Sequence, residues 1–497
     1  MNQITLSTLD WIIIIAYGIG MLGIGFYFSR KNKSVDDYML GGRGMKSWQV
    51  GLSLFATMFS AITYLSLPGE MIKHGPMIFL MMASMPFIYY IVAYFFIPYI
   101  MKLKASSAYE LLEEKLGVQN RVLASIYFLT MRFLWMGVVI YMVAEKIIVP
   151  IMGWTENDAI MVSIVMGIIT IIYTSAGGLR SVIFTDVVQS FVLLGGTILA
   201  IVIIIKNLGS PSAIIPAQWP EHWAKWVFFD TNVRVSFFTV FISTFGWYVC
   251  TAGSDQMSIQ RYLATRDVKA ARKMYLSNIL IGILVNLLLI VLGLSLFAYV
   301  KTHPEILSAE TIVDGADTLF PRFIVMGLPA GLSGIVIAGL LAAAMSSLSS
   351  GISSSSMSIV NDFILRFGNN NISEAKKIKI STVISFFIGV VIILLSLVMG
   401  NVKGNLLELT YKTVNLLVAP LFVPFFMVMF VSFAKPNATF IGTLLSAVSA
   451  VMVSFSNELF SINISFLWII PVSFITGVTI SILISSISNK KQITVNN

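Results

Sequence analysis

Apolar stretches long enough to cross a lipid bilayer follow one another along almost the whole chain. Hydrophobic residues make up 57% of the 497 residues and charged residues only 11%, whereas a soluble globular protein has about 25% charged residues. A helix needs about 20 apolar residues to cross the bilayer. The stretches that approach or exceed this length lie at 9–29, 48–68, 77–101, 122–150, 159–175, 182–206, 236–253, 274–300, 323–360, 378–399, 406–432, 437–456 and 464–487. The sequence therefore predicts an all-α polytopic membrane protein with about 13 transmembrane helices, in which residues 1–497 form a single transmembrane domain.

The basic residues lie beside the ends of these stretches and indicate an orientation. With the N-terminus outside, 22 of the 32 Lys and Arg residues fall in cytoplasmic loops and seven in outer loops, and cytoplasmic loops are the ones enriched in these residues. We therefore expect a protein of the cell (plasma) membrane with an outside N-terminus and a cytoplasmic C-terminus. The first stretch lacks a preceding basic segment and is long enough to span, so we expect it to be retained. The same bias explains the net charge of +9, so no nucleic-acid partner is expected.

A run of small and hydroxyl residues, Ala342–Ser358, continues directly from an apolar stretch. Four of its serines recur at the spacing of one helix face, with Ser347 at its edge: Ser346, Ser349, Ser350 and Ser353. Hydroxyl and free carbonyl oxygens are the ligands that a hard cation such as sodium prefers. Small residues and serines also occur where membrane helices simply pack together. Packing is the more frequent reason for such a run, so the choice between packing and cation binding depends on the rest of the sequence.

Two of the predicted helices contain residues that weaken a helix. The second stretch is short and rich in Ser and Thr, whose side chains compete for backbone hydrogen bonds. The seventh stretch contains Thr244, Gly246, Thr251 and Gly253. An unwound turn at mid-membrane exposes carbonyl groups to a cavity or an ion. The two weakened helices are the second and the seventh, five places apart in the order of the helices. This spacing predicts two inverted halves, 48–206 and 236–432, with 1–47 and 433–497 as peripheral helices.

Several motifs, each weak by itself, occur in order beside the predicted helices. They are Asp36–Gly44, Phe55–Thr57, Ser107–Glu113, Ile172–Asp186, Asp255–Tyr262 and the serine run. Taken together, these motifs mean that the chain resembles the sodium:solute symporter family over nearly its whole length. The resemblance implies a LeuT-type inverted-repeat core and uptake of a small organic solute coupled to inward movement of sodium.

The resemblance also implies sodium-binding residues. One sodium would be held by carbonyl oxygens of three residues and hydroxyl oxygens of two, which are Ala56, Phe59, Ala343, Ser346 and Ser347. Some members of the family hold a second sodium at an aspartate and nearby serines, which here would be Asp186, Ser346, Ser349 and Ser350. A carboxylate at this place could instead cap a helix or pair with Arg180.

For the substrate, the resemblance is to bacterial sialic acid symporters, through 63–68 and 102–110, and to the monocarboxylate and vitamin branch, through 68–70. The candidate substrate-binding residues are Met58, Ser60, Thr63, Phe79, Met82, Arg132 and Trp135. In the sialic acid symporters an arginine of the fourth helix binds the carboxylate, but this chain has Trp135 at that position and Arg132 one turn earlier. Met58 and Met82 also replace polar residues, so a smaller or less hydroxylated acid is expected. The apolar candidates could equally be ordinary packing residues.

Arg132 decides between classes of substrate. A guanidinium binds a carboxylate through two parallel hydrogen bonds and is costly to bury without an anion. It could instead bond a helix carbonyl or extend to the membrane interface. No role is assigned to Lys412.

The leading hypothesis is a sodium-coupled symporter that imports a carboxylate such as sialic acid or a monocarboxylate. The alternatives are a sodium-coupled sugar, polyol or proline-type amino-acid symporter, a channel, or a transporter-like sensor. A channel should show a ring of filter residues, and none is evident. Enzymatic activity is not expected, because the three histidines fall in predicted outer loops without metal-binding spacing. Sodium ions, the solute and the lipid bilayer are the expected partners.

Overall fold

The computed structural model describes residues 6–102, 107–155, 157–230, 233–307, 311–368, 372–399, 415–462 and 464–495. In chain order, the principal helices within these ranges are α1 (Thr8–Ser29), α2 (Ser47–Met58), α3 (Ala61–His74), α4 (Pro76–Lys102), α5 (Glu110–Val143), α6 (Asp158–Leu208), α7 (Phe237–Ser254), α8 (Gln256–Leu263), α9 (Val268–Thr302), α10 (Ala316–Met326), α11 (Leu332–Phe367), α12 (Glu374–Met399), α13 (Asn415–Phe430), α14 (Pro436–Ser454) and α15 (Phe466–Asn489). These ranges contain no strand.

The predicted all-α membrane protein is confirmed. Among the described residues, ten helices are long and apolar enough to cross a membrane, or eleven if the bent pair α2–α3 is one span. The count of 13 stays a prediction, because α6 contains two of the predicted stretches and part of 406–432 lies outside the described residues. Lys412 also lies outside them.

One glycine divides the longest helix, α6. Its 51 residues would extend about 75 Å as a straight helix, far beyond the roughly 30 Å of a bilayer core. Gly178 has φ +61°, and a Cβ there would lie 2.5 Å from the carbonyl oxygen of Tyr38. Only glycine combines this backbone conformation with so close an approach. The break separates the segments that the sequence predicts as two stretches, 159–175 and 182–206.

The serine-rich helix α11 is the most enclosed of the candidate membrane spans. Of its most apolar window, 89% is buried, and it packs against α1, α5, α6 and α12. Buried serines lie on more than one face of this helix, since Ser354, Ser355 and Ser356 are as enclosed as Ser346 and Ser350, whereas Ser353 of the predicted face is only partly buried. The predicted start of this helix at residue 323 is wrong, because Gly327 ends α10 and α11 begins at Leu332.

The first helix holds the N-terminus of α11. One carboxylate oxygen of Asp10 accepts the backbone N–H groups of Gly331 (2.8 Å) and Gly334 (2.7 Å). The other oxygen accepts the hydroxyl (2.6 Å) and the backbone N–H (2.9 Å) of Ser7. First-turn amides of a helix have no partner within the helix. A side chain 321 positions away in sequence therefore caps α11.

Two further breaks each separate a pair of consecutive helices. Between α2 and α3 the direction changes by 68°, with Phe59 and Ser60 in extended conformations. The predicted interruption of the second stretch is thus confirmed. Between α7 and α8 the break is at Asp255 (φ −75°, ψ 126°), whose carboxylate caps α8 by accepting the N–H of Met257 at 2.8 Å. This break follows the predicted weak point at Gly253.

We expect Asp10→Ala to lower the melting temperature of the protein in detergent. The variant leaves two amides of α11 without an acceptor, and loss of a capping side chain costs about 1–2 kcal/mol. Asp10→Asn keeps an oxygen for those amides and is the matched control with a smaller loss. A melting temperature for Asp10→Ala equal to that of the wild type would contradict this role of the first helix.

Candidate functional site

The break between α2 and α3 faces the middle of α11. The hydroxyl of Ser347 donates to the carbonyl oxygen of Thr57 at 3.4 Å, and the Thr57 hydroxyl lies 2.8 Å from that of Ser350. The last carbonyl groups of a helix have no following amide to bond. The end of α2 therefore offers carbonyl oxygens toward a helix that offers hydroxyl groups.

The five residues predicted for the first sodium lie on these two helices. They are all buried: Ala56, Phe59, Ala343, Ser346 and Ser347. Ala56 and Phe59 belong to the end of α2, and the other three to the middle of α11. The two groups of predicted residues thus lie on helices that meet at the α2–α3 break, and the Ser347–Thr57 hydrogen bond joins these helices.

A buried charge cluster adjoins the break. Asp186 of α6 is fully enclosed and accepts the hydroxyls of Ser53 (2.5 Å) and Ser346 (2.6 Å). The guanidinium of Arg261, from α8, lies 3.4 Å from the same carboxylate. It also donates to Ser53 (3.0 Å) and Ser350 (2.5 Å). Four helices, α2, α6, α8 and α11, therefore meet at one ion pair.

This cluster contains three of the four residues predicted for a second sodium, Asp186, Ser346 and Ser350, but an arginine already supplies the positive charge. Arg261 is fully buried, although it is one of the 22 Lys and Arg residues that the sequence predicts to lie in cytoplasmic loops. The suggested pairing of Asp186 with Arg180 is wrong, because Arg180 pairs with Asp37 at 2.7 Å. The Ser349 hydroxyl donates to the carbonyl oxygen of Ser346 at 3.1 Å.

A cavity of about 200 Å³ lies beside both helix breaks. Four of the predicted substrate residues line it: Met58, Thr63, Arg132 and Trp135. Further lining residues that the sequence did not single out for this purpose are Thr57, Phe59, Met81, Met131, Thr244, Trp247, Tyr248, Thr251, Asp255, Asn286, Asn415 and Val418. The signals available for them were the hydroxyl residues of the seventh stretch and the motif that begins at Asp255.

Three predicted substrate residues lie outside this lining. The hydroxyl of Ser60 caps α3 by accepting the N–H of Thr63 at 3.3 Å. Phe79 is buried in the apolar core, and Met82 packs against that core. Both belong to a segment, Pro76–Ser84, that is a 3-10 helix. With three residues per turn its faces differ from those of an α-helix, and Met81 lines the cavity instead.

Arg132 forms an ion pair across the cavity wall. Its Nη2 donates to the carboxylate of Asp255, and the two side chains are only 8% and 2% exposed. Among the described residues its partner is this carboxylate rather than a helix carbonyl. The Nε of Arg132 has no hydrogen-bond partner among them and is closed off from solvent. Arg132 itself lines the cavity, so its guanidinium is the cation of the cavity wall.

Broken helices, a polar cluster at one break and a cavity between both breaks are the features of a secondary transporter. The chain belongs to the sodium:solute symporter family, whose model matches residues 38–446. It is therefore a sodium-coupled membrane symporter, and its relatives are transporters rather than enzymes.

Individual relatives align over most of the chain. Sodium/sialic acid symporter SiaT of Proteus mirabilis (strain HI4320) is 27% identical over 464 residues, 91% of this chain and 90% of the relative. Sodium-coupled monocarboxylate transporter 1 of Homo sapiens is 26% identical over 443 residues, 87% of this chain and 71% of the relative. A solved substrate-bound outward-open structure of a Na⁺-coupled sialic acid symporter is 25% identical, covers 97% of this chain and 98% of its own, and has a TM-score of 0.85.

We expect Arg261→Met to destabilise the protein strongly. It leaves the buried Asp186 carboxylate without a cation, and breaking a buried ion pair costs about 3–5 kcal/mol. The double variant Asp186→Asn with Arg261→Met removes both charges and should recover much of the lost melting temperature in detergent.

Arg180→Met is the matched control for this experiment. The Arg180–Asp37 pair is partly exposed, so its loss should cost only about 0–1 kcal/mol. Equal melting temperatures for Arg261→Met and Arg180→Met would show that the buried pair is not the stronger of the two.

Proposed function

We propose that this symporter imports a small organic solute that bears a carboxylate group. The observation that carries the proposal is the guanidinium of Arg132, the one positively charged group among the described lining residues of the cavity. Guanidinium groups bind carboxylates strongly and directionally. The names of the relatives agree with this choice, since they are a sialic acid symporter and a monocarboxylate transporter.

Part of the cavity wall favours an acid with fewer hydroxyl groups than sialic acid. Trp135 and Met58 are two of the predicted substrate residues that line the cavity, and both present apolar surface. A solute hydroxyl placed against these two side chains would lose its water without gaining a hydrogen bond. Hydroxyl and amide groups line the rest of the cavity, at Thr57, Thr63, Thr244, Tyr248, Thr251, Asn286 and Asn415.

Sodium would bind first where α2 ends against α11. We assign this site to the carbonyl oxygens of Ala56, Phe59 and Ala343 and the hydroxyls of Ser346 and Ser347. The Ser347–Thr57 hydrogen bond supports the assignment, because it already holds the end of α2 against α11. A second sodium at Asp186, Ser346, Ser349 and Ser350 would require Arg261 to give up part of its contact with the carboxylate.

Thr57 gives a physical route for coupling sodium to solute. Its carbonyl oxygen bonds Ser347, its hydroxyl contacts Ser350, and the same residue lines the cavity. A cation between α2 and α11 and a solute in the cavity would therefore both stabilise the same arrangement of the α2–α3 break. Two ligands that favour one state bind cooperatively.

The excess of Lys and Arg in alternate loops supports an outside N-terminus and a cytoplasmic C-terminus in the plasma membrane. The halves 48–206 and 236–432 each contain one of the two helix breaks, at residues 59–60 and 255. This correspondence supports their assignment as inverted repeats. Inward release of sodium and solute would then follow closure of the cavity on the outer side.

Purified protein in liposomes should take up its solute only under an inward sodium gradient. Candidate solutes are found first by melting-temperature shifts in sodium with sialic acid, pyruvate, proline, pantothenate and sugars, because a bound ligand stabilises in proportion to its affinity. Equal uptake with potassium in place of sodium would contradict coupling.

Arg132→Ala should abolish uptake of acids into the same liposomes, because the variant removes the guanidinium of the cavity wall. Uptake retained by this variant would favour a neutral sugar or polyol as the solute.

Ser347→Ala should raise the sodium concentration needed for half-maximal uptake by about tenfold, equivalent to about 1.4 kcal/mol of lost binding. Ser354→Ala is the matched control, since that hydroxyl donates to carbonyl oxygens of its own helix. We expect the control to keep the wild-type sodium dependence. The same shift in both variants would indicate that α11 packing, rather than ion binding, is affected.

A further inference from the structure

The cavity contains charges of both signs. Among its described lining residues, the ionic ones are Arg132 and Asp255. Both side chains are more than nine-tenths buried, and they face each other as an ion pair. Asp255 supplies the anion that a buried guanidinium needs before a solute binds, and it stays beside that guanidinium when a solute enters.

Asp255 changes which solutes Arg132 can accept. A solute carboxylate bound to Arg132 in the cavity would share the guanidinium with Asp255. Two carboxylates at one buried cation repel each other, and the low local dielectric strengthens the repulsion. The Oδ1 atom of Asp255 accepts a backbone N–H from Met257, and Asp255 lines the same cavity as Arg132, where a solute cation would meet it.

Aromatic side chains lie around the same space. Trp135, Trp247 and Tyr248 line the cavity together with Asp255, and the rings of Trp247 and Tyr248 are in edge-to-face contact with centroids 4.8 Å apart. Aromatic faces attract ammonium groups, most strongly where water is excluded. These rings and the carboxylate form surroundings for a cation, whereas Arg132 and Thr63 suit an anion.

We infer that the solute is a small zwitterion, an amino acid or a betaine. Its carboxylate binds the guanidinium of Arg132, and its ammonium group lies between Asp255 and the aromatic rings. Such a solute adds one charge of each sign, so that both members of the ion pair keep a partner of opposite charge. This inference rests on the proposed function and narrows its substrate class from carboxylates in general to zwitterions.

Pairs of compounds with the same shape and different charge test the inference. Glycine betaine and 3,3-dimethylbutanoate differ only in a quaternary nitrogen in place of a carbon, and L-proline and cyclopentanecarboxylate only in a ring NH₂⁺ in place of CH₂. Each compound is tested for sodium-dependent uptake into proteoliposomes and for its shift of the melting temperature. We expect at least a tenfold preference for the zwitterion in at least one pair, and the pair that shows it distinguishes a quaternary from a protonated ammonium group.

The possible outcomes separate the inference from the proposed function. Equal or better transport of the simple acids, or transport of sialic acid or pyruvate with no zwitterion transported, would overturn the inference and leave sodium-coupled carboxylate uptake intact. Failure of every carboxylate compound to be transported would overturn the proposed function and the inference with it.

Asp255→Asn provides a second test with effects in opposite directions. The variant removes the partner of the ammonium group and the competitor for Arg132. Uptake of the zwitterion should therefore fall at least tenfold while binding of the matching simple acid becomes tighter, by melting-temperature shift. Equal losses for both compounds would show that Asp255 only supports the structure and would overturn its assigned role. If the variant does not fold, the comparison of isosteric pairs on the wild-type protein decides alone.

Discussion

The ion pair between Asp186 and Arg261 is the interaction on which the centre of this protein depends. A carboxylate in the interior of a membrane protein is tolerated only with a partner, and here one guanidinium neutralises it while two serine hydroxyls bond its oxygens. The partners come from α2, α6, α8 and α11. The position of each of these helices is therefore fixed by the same buried charge, which explains why a helix as short as α8 lies in the interior at all.

That short helix also connects the two regions where ligands are proposed to bind. Asp255 caps its start and faces the cavity, whereas Arg261, near its end, reaches the charge cluster. A shift of α8 in response to either region would be transmitted to the other within less than two turns of helix. Thr57 at the end of α2 makes a second connection, because it lines the cavity and its hydroxyl contacts Ser350 of the charge cluster. The cavity and the cluster are thus linked by covalent structure and not merely by proximity.

The sequence predicted what depends on local pattern and missed what depends on distant contacts. Hydropathy located the helices, and the Ser and Thr content of the second stretch located the α2–α3 break. The same reasoning assigned Arg261 to a loop because it counted basic residues by their distance from apolar stretches, and no local pattern reveals an aspartate 75 positions away. Phe79 and Met82 were assigned to the cavity on resemblance, but the 3-10 geometry of their segment turns Met81 toward it. Arg132, a candidate from the sequence, lines the cavity, but the partner it has in the structure is Asp255 of this chain.

The cap that Asp10 provides for α11 makes the first helix part of the central machinery. Residues 1–47 were predicted to be peripheral, yet the amino end of the serine-rich helix is bonded to a side chain three residues into α1. Any displacement of α11 during a transport cycle must carry α1 with it or break two hydrogen bonds. Lipids and detergents that contact the outward face of α1 accordingly have a mechanical route to the ion-binding helix, and the choice of solubilising agent becomes a variable in measuring transport by this protein.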